Sequence, residues 1–207
     1  MPSCRITVVA ALAAAALAAA GCGSSSSSSG ARPPAVGGAA TESTPSALSA
    51  EARSAATGDI PDTQVFLTFT NSAARYSMKY PEGWTQSGSG ADVTFQDKNN
   101  IVHVLVAPGP AATLASVTAA LGKLKASTPS LTFTPPAQVR VGSAQAIKAT
   151  YTTHSAPDPV TGRSVTLIVD RYVLRNGARN ATVDLGTQRG VDNVDAYRMM
   201  IESFRWA

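Results

Sequence analysis

From about Ile60 to Ala207 the sequence predicts an α+β domain, an antiparallel sheet flanked by helices. Three observations carry that expectation. Short β-rich runs are separated by Gly, Pro and Asn turn signals. Two separate stretches repeat apolar residues every three or four positions. Composition also changes abruptly near residue 60, and the roughly 148 residues that follow fit one domain.

Ahead of that boundary the chain reads as an export leader. Arg5 supplies a positive charge, and Ile6 to Ala20 is uncharged and apolar. A bilayer-spanning helix needs roughly 20 apolar residues, so this run is too short for a permanent span. Residues 1–21 are expected to be a signal peptide. The segment Leu17-Ala18-Ala19-Ala20-Gly21-Cys22 resembles the bacterial lipobox, in which a Cys becomes the acylated N-terminus. Ala19 stands where the usual Leu would be, a departure that predicts slower processing.

The chain has only two cysteines, Cys4 and Cys22. Cleavage would leave one, consumed by lipid, so no disulfide, thiol nucleophile or thiolate metal site is expected. Two or three acyl chains anchor stably where one does not, at about 0.8 kcal/mol per buried methylene. The expected location is therefore the outer face of the cell membrane, with the membrane engaged through Cys22. Residues 22–59 carry the run Ser24–Ser29 and then mostly Gly, Pro, Ala and Thr. Such a segment buries too little apolar surface to offset its ordering entropy. As a coil it would reach roughly 30–37 Å, a tether.

Within 60–207, Val65 to Thr70 and Tyr76 to Tyr80 read as strands, the second closed by Pro81-Glu82-Gly83. Val93 to Gln96 and Ile101 to Val106 flank a polar turn at 97–100, a hairpin signal. Val139 to Val141 and Ala146 to Thr153 flank Gly142-Ser143 in the same way. Val165 to Arg175 and Ala178 to Leu185 are joined by Asn176-Gly177, the strongest two-residue hairpin signal. The near-continuous apolar run in Val165 to Leu174 marks a central strand. Thr113 to Ala126 reads as a helix with stripe Leu114, Val117, Leu121 and Leu124, capped by Thr113. Asp192 to Phe204 reads as another, with stripe Val194, Tyr197, Ile201 and Phe204 and Asp192 as N-cap.

The run Arg75-Tyr76-Ser77-Met78-Lys79-Tyr80-Pro81-Glu82-Gly83-Trp84, with Ser203-Phe204 after the last helix, resembles the PsbP-like superfamily. With the leader and tether, the sequence is similar to actinobacterial lipoproteins of the LpqN type. The resemblance implies a PsbP-like fold and a binding or assembly role in the cell envelope, without catalysis. In that reading Pro81 fixes a turn, Gly83 supplies φ > 0, and Trp84 either caps the sheet or stacks on a ligand.

Little else in the sequence points to chemistry. His103 is expected mid-strand on the face opposite Val102, Val104 and Val106. His154 and Asp158 share a turn-rich loop, either as plain turn residues or as a metal pair or base with its orienter. Ser87-Gly88-Ser89-Gly90 reads as a polar loop and lacks the context of a nucleophile elbow. Phosphate-binding and zinc-helix motifs are missing, and no catalytic residue, metal or cofactor is expected.

From Ile60 onward there are 14 basic and 10 acidic residues, about +4. Arg163, Arg171, Arg175, Arg179 and Arg189 gather around the last hairpin. Arg171 and Arg175 share one face and are the candidate partner-binding residues, against the plainer reading of a solvated sheet face. The expected partner is an envelope protein or lipid, not nucleic acid, and the expected state is a monomer. Two other readings remain open: a lipid or glycolipid carrier with an apolar cavity, and an unrecognised hydrolase.

Overall fold

The computed structural model describes residues 56–158 and 160–207, together with Ser49 and Ser54. The expected signal peptide, Cys22 and nearly all of the expected tether lie outside the described residues.

The strands are β1 (Phe66–Asn71), β2 (Tyr76–Pro81), β3 (Thr85–Ser89), β4 (Asp92–Asp97), β5 (Asn100–Pro108), β6 (Thr132–Phe133), β7 (Ala137–Val141), β8 (Ala144–His154), β9 (Thr166–Asn176), β10 (Arg179–Gln188) and β11 (Arg205–Trp206). The helices are α1 (Leu114–Ser127) and α2 (Val194–Glu202). One sheet runs β3-β4-β5-β10-β9-β8-β6, with β7 also on β8; a smaller one runs β1-β2-β11. Every pairing is antiparallel.

All three expected hairpins form, and β9 is central as its apolar run predicts. The Pro81–Trp84 turn also forms: Gly83 has φ +87° and the Trp84 amide donates to the Pro81 carbonyl. Trp84 itself is buried in the core, so its role is packing rather than ligand stacking.

Alternation assigns the two faces of the large sheet. Its inner face presents Val93, Phe95, Val102, Val104, Val183 and Leu185 to the small sheet and α2, which contribute Tyr76, Met78, Met200 and Phe204. Tyr76 stacks on Phe204 at 5.3 Å and Tyr80 on Phe95 at 4.3 Å. The opposite face, here called the helix face, packs Ile147, Ala149, Tyr151, Val169 and Val173 against Val117 and Leu121 of α1. Full burial of one such side chain contributes about 1.5–3 kcal/mol.

Four local expectations need correction. Ser87-Gly88-Ser89 is not loop but part of edge strand β3, paired with β4. A Cβ at Gly88 would come within 2.3 Å of the Asp92 carbonyl, so this close return favours glycine. The N-cap of α2 is Asn193, not Asp192, and its side chain is turned inward. Leu114 and Val194 belong to the expected stripes yet stand exposed, each in the first turn of its helix. The two-residue strands β6 and β11 carry too little pattern to have been foreseen.

The fold also takes in residues just ahead of Ile60. Asn193 accepts from the Ile60 amide (2.8 Å) and donates to the Gly58 carbonyl (3.1 Å). Asn100 donates to the same carbonyl, and Thr187 donates to Asn100. Asn100 and Asn193 are both buried, and these bonds satisfy them. The knot fastens the lead-in segment to β5, β10 and α2.

Candidate functional site

The helix face is only half covered. α1 lies over β8 and β9, whereas on β4 and β5 the same face exposes Gln96, Leu105 and Asp92 and leaves Ile101 and His103 half-buried. Where α1 ends its cover, a groove of about 250 Å³ runs between Ser116, Val117 and Ala120 of the helix and Thr182, Val173 and Arg171 of the sheet. Pro110 and Ala111 close its rim.

Helix α1 is fixed above this groove by a reciprocal cap. Thr113 Oγ1 accepts from the Ser116 amide (3.1 Å), while Ser116 Oγ accepts from the Thr113 amide (2.8 Å). The entry loop is held from below, since Asn180 donates to the Pro110 carbonyl at 2.9 Å.

The floor holds a buried polar cluster. Arg171 donates through Nε (2.7 Å) and Nη2 (2.6 Å) to the two oxygens of Asp184, and Tyr151 donates to Asp184 Oδ2 at 3.1 Å. The Arg171 guanidinium also lies 5.2 Å from the Tyr151 ring centre. Burial pulls the Arg171 pKa down, but the bonds and charge of Asp184 outweigh it and the net direction is up. The Tyr151 hydroxyl is pushed up, by burial first and then by the Asp184 charge. Under ordinary conditions both hold their protons, so the cluster is a fixed ion pair with a neutral phenol.

Arg171 and Arg175 do share the helix face, but their situations differ. The Arg171 side chain is 17% exposed and fully engaged by Asp184. Arg175 is exposed, beside a hollow of about 220 Å³ bordered by Gln138, Gln145 and Asn180. Arg179 turns away, donating to the Ala74 carbonyl (3.0 Å) with its guanidinium 5.4 Å from the Trp206 ring centre. The arginines that cluster in sequence are thus dispersed in space.

His103 lies on the face expected of it and meets Asp92 Oδ1 at 2.9 Å. His154 and Asp158 border a cleft of about 730 Å³ at the other end of the helix face, with Ile101, Leu167, Gln96 and Gln188. Asp158 is taken by its own loop: it accepts from the Val160 and Thr161 amides and the Thr161 hydroxyl, and those bonds hold its carboxyl below the usual range. It therefore does not orient His154. Among the described residues no three His, Cys, Asp or Glu side chains group as metal ligands. No described helix is long and apolar enough to cross a membrane.

The Arg171–Asp184 pair does not follow from the expected turn: Asn176-Gly177 as the two turn residues would pair Arg175 with Ala178 and set Arg171 opposite Thr182. The turn is instead Gly177-Ala178, with Gly177 at φ +57°, which pairs Asn176 with Arg179 and sets Arg171 opposite Asp184.

This arrangement of sheets and helices is the PsbP-like fold. Over 72% of this chain and 98% of the other, it is similar to the solution structure of the cyanobacterial PsbP (CyanoP) of Synechocystis sp. PCC 6803, with a TM-score of 0.53 at 15% identity. LpqN of Mycobacterium tuberculosis, described as involved in cell envelope biogenesis, matches with a TM-score of 0.40 at 13% identity, covering 69% of this chain and 91% of LpqN. The Saccharomyces cerevisiae Ran-binding protein Mog1p matches with 0.47 at 6% identity, covering 70% and 96%. No protein-family profile and no curated protein sequence matches the chain.

Proposed function

We propose that this chain is a lipid-anchored accessory module on the outer face of the cell membrane, and that it binds an envelope partner rather than catalysing a reaction. The leader and Cys22 support the anchor and the exported location. The observation that carries the binding role is the half-covered helix face. A sheet side left open beside a capped helix offers Leu105, the α1 groove and Arg175 as one stretch of apolar and basic surface.

The residues there suit recognition better than chemistry. Asp184 is engaged by Arg171 and Tyr151, and Asp158 by its loop, so neither is poised as a base. The test is photo-cross-linking from Leu105, Ala120 and Arg175 on the anchored protein in its native envelope, with Gln86 on β3 as the control position. One recurrent protein or lipid adduct from the first three, weakened by Arg175→Glu, is expected. Equal labelling from Gln86 would overturn the assignment of the site.

A carrier is the second reading, favoured by the 730 Å³ cleft, which lies within the usual range of ligand pockets. Lipid co-purifying with the wild type and lost in Leu167→Arg would move the site to that end of the sheet.

A further inference from the structure

Among the described residues, strand β1 is an edge that pairs only with β2 in the small sheet. The Glu82 amide donates to the Val65 carbonyl at 2.8 Å, so by alternation Leu67, Phe69 and Asn71 bond to β2. The N–H and C=O groups of Phe66, Thr68 and Thr70 point outward. Natural sheets usually blunt such an edge with Lys, Pro or a bulge; β1 has none of these. Val65, just ahead of the strand, and Leu67 on it are also 55% and 39% exposed, two large apolar residues open to solvent along this edge.

The charges around the strand select its occupant. No charged residue occurs from Thr63 to Ala74, and the stretch is flanked by exposed Asp62 at one end and exposed Arg75 at the other. An antiparallel copy of the same strand would put each acidic end beside a basic one. A parallel copy would set Asp62 against Asp62.

We propose that two copies of this chain pair through β1, antiparallel about a twofold axis at Thr68, and join their small sheets into one of six strands. Thr68 faces Thr68 of the other copy, Phe66 faces Thr70, and Leu67 covers Phe69. The Asp62 end of each copy lies toward the Arg75 end of the other, twice, as an isologous interface requires. The small sheet lies on the inner side of the large one, so pairing leaves the helix face free. This inference does not depend on the binding site proposed above, and it replaces the sequence expectation of a monomer.

Cysteine cross-linking of the full chain in the membrane tests it. Hydrogen-bonded partners in such a ladder have Cα atoms about 5.5 Å apart, inside the disulfide range. Thr68→Cys is therefore expected to oxidise to a dimer at least about tenfold more than Thr70→Cys, whose two copies would sit four residues out of register, roughly 13 Å along the strand. The wild type, with its own cysteines, sets the background. Asp62→Arg and Arg75→Asp should each lower the Thr68→Cys yield, and the two together should restore it. Equal yields from positions 68 and 70, or none above background with the fold intact by circular dichroism, would overturn the proposal.

Discussion

Adjacent residues of β9 place an ion pair on each face of the large sheet: Arg171 with Asp184 on the helix face, and Asp170 with Lys148 on the inner one. In the first pair the side chains are 17% and 8% exposed, and both carboxylate oxygens are engaged by the guanidinium. In the second they are 33% and 32% exposed, bonded at 2.8 Å, with Thr150 donating to the same carboxylate. Lys148 gains basicity overall, since the bond and charge of Asp170 outweigh the opposing effect of burial. The chemistry is alike; what differs is access to water. A pair held largely out of water leaves a charge that solvent cannot fully replace when one partner is lost, whereas a pair at the rim does not.

The largest expected effect follows directly. Asp184→Ala leaves a buried guanidinium without its partner and should cost about 3–5 kcal/mol of unfolding free energy, measured by urea denaturation. Arg171→Met with Asp184→Leu should recover much of that loss, because burying an ion pair is itself expensive. Recovery would show that the pair serves the geometry of the groove floor more than stability.

Gly186 sharpens the comparison from the middle of the helix face. A Cβ there would lie 2.7 Å from Ile101 Cγ2 and 3.1 Å from Val169 Cγ2. Gly186→Ala should therefore cost about 1–3 kcal/mol by overpacking, read in the same denaturation series.

The two faces should respond alike to alkali. Tyr151 on the helix face and Tyr197 on the inner side both have folded pKa values raised by burial above the ordinary 10.0. The folded state then holds protons that the unfolded state releases. Stability is complete below about pH 10 and falls above it, by up to about 1.4 kcal/mol per pH unit for each tyrosine. Tyr151→Phe and Tyr197→Phe should each flatten that decline, as followed by thermal melts between pH 9 and 11.

The smallest effect belongs to the rim. Lys148→Met should change stability by only about 0.5–1 kcal/mol and become still less visible in high salt. A loss as large as that of Asp184→Ala would erase the distinction between the two faces.

How much of this was legible follows the range of each signal. The hairpin between β9 and β10, the Thr113 cap and the Pro81–Trp84 turn are encoded within a few residues, and they read correctly except that the hairpin turns one residue later, at Gly177-Ala178. The site is written across strands. Arg171 needs Tyr151 from β8 and Asp184 from β10 to define its role, and on sequence alone it reads as a candidate partner-binding charge rather than half of an ion pair. The expected cap at Asp192 failed for the same reason: the N-cap is Asn193, whose side chain serves Ile60, 133 positions away. Strand β3 was lost to its own polarity, because an edge open to water shows no apolar alternation.

The knot of Asn100, Asn193 and Thr187 on Gly58 and Ile60 also sets how the domain bears load. A pull through the N-terminal segment arrives at the Gly58 carbonyl and is divided at once between the start of β5, the end of β10 and the head of α2. Three elements share the tension where a frayed terminus would peel one strand at a time. The attachment point is thus built as a rivet, and a force applied there is never borne by a single strand.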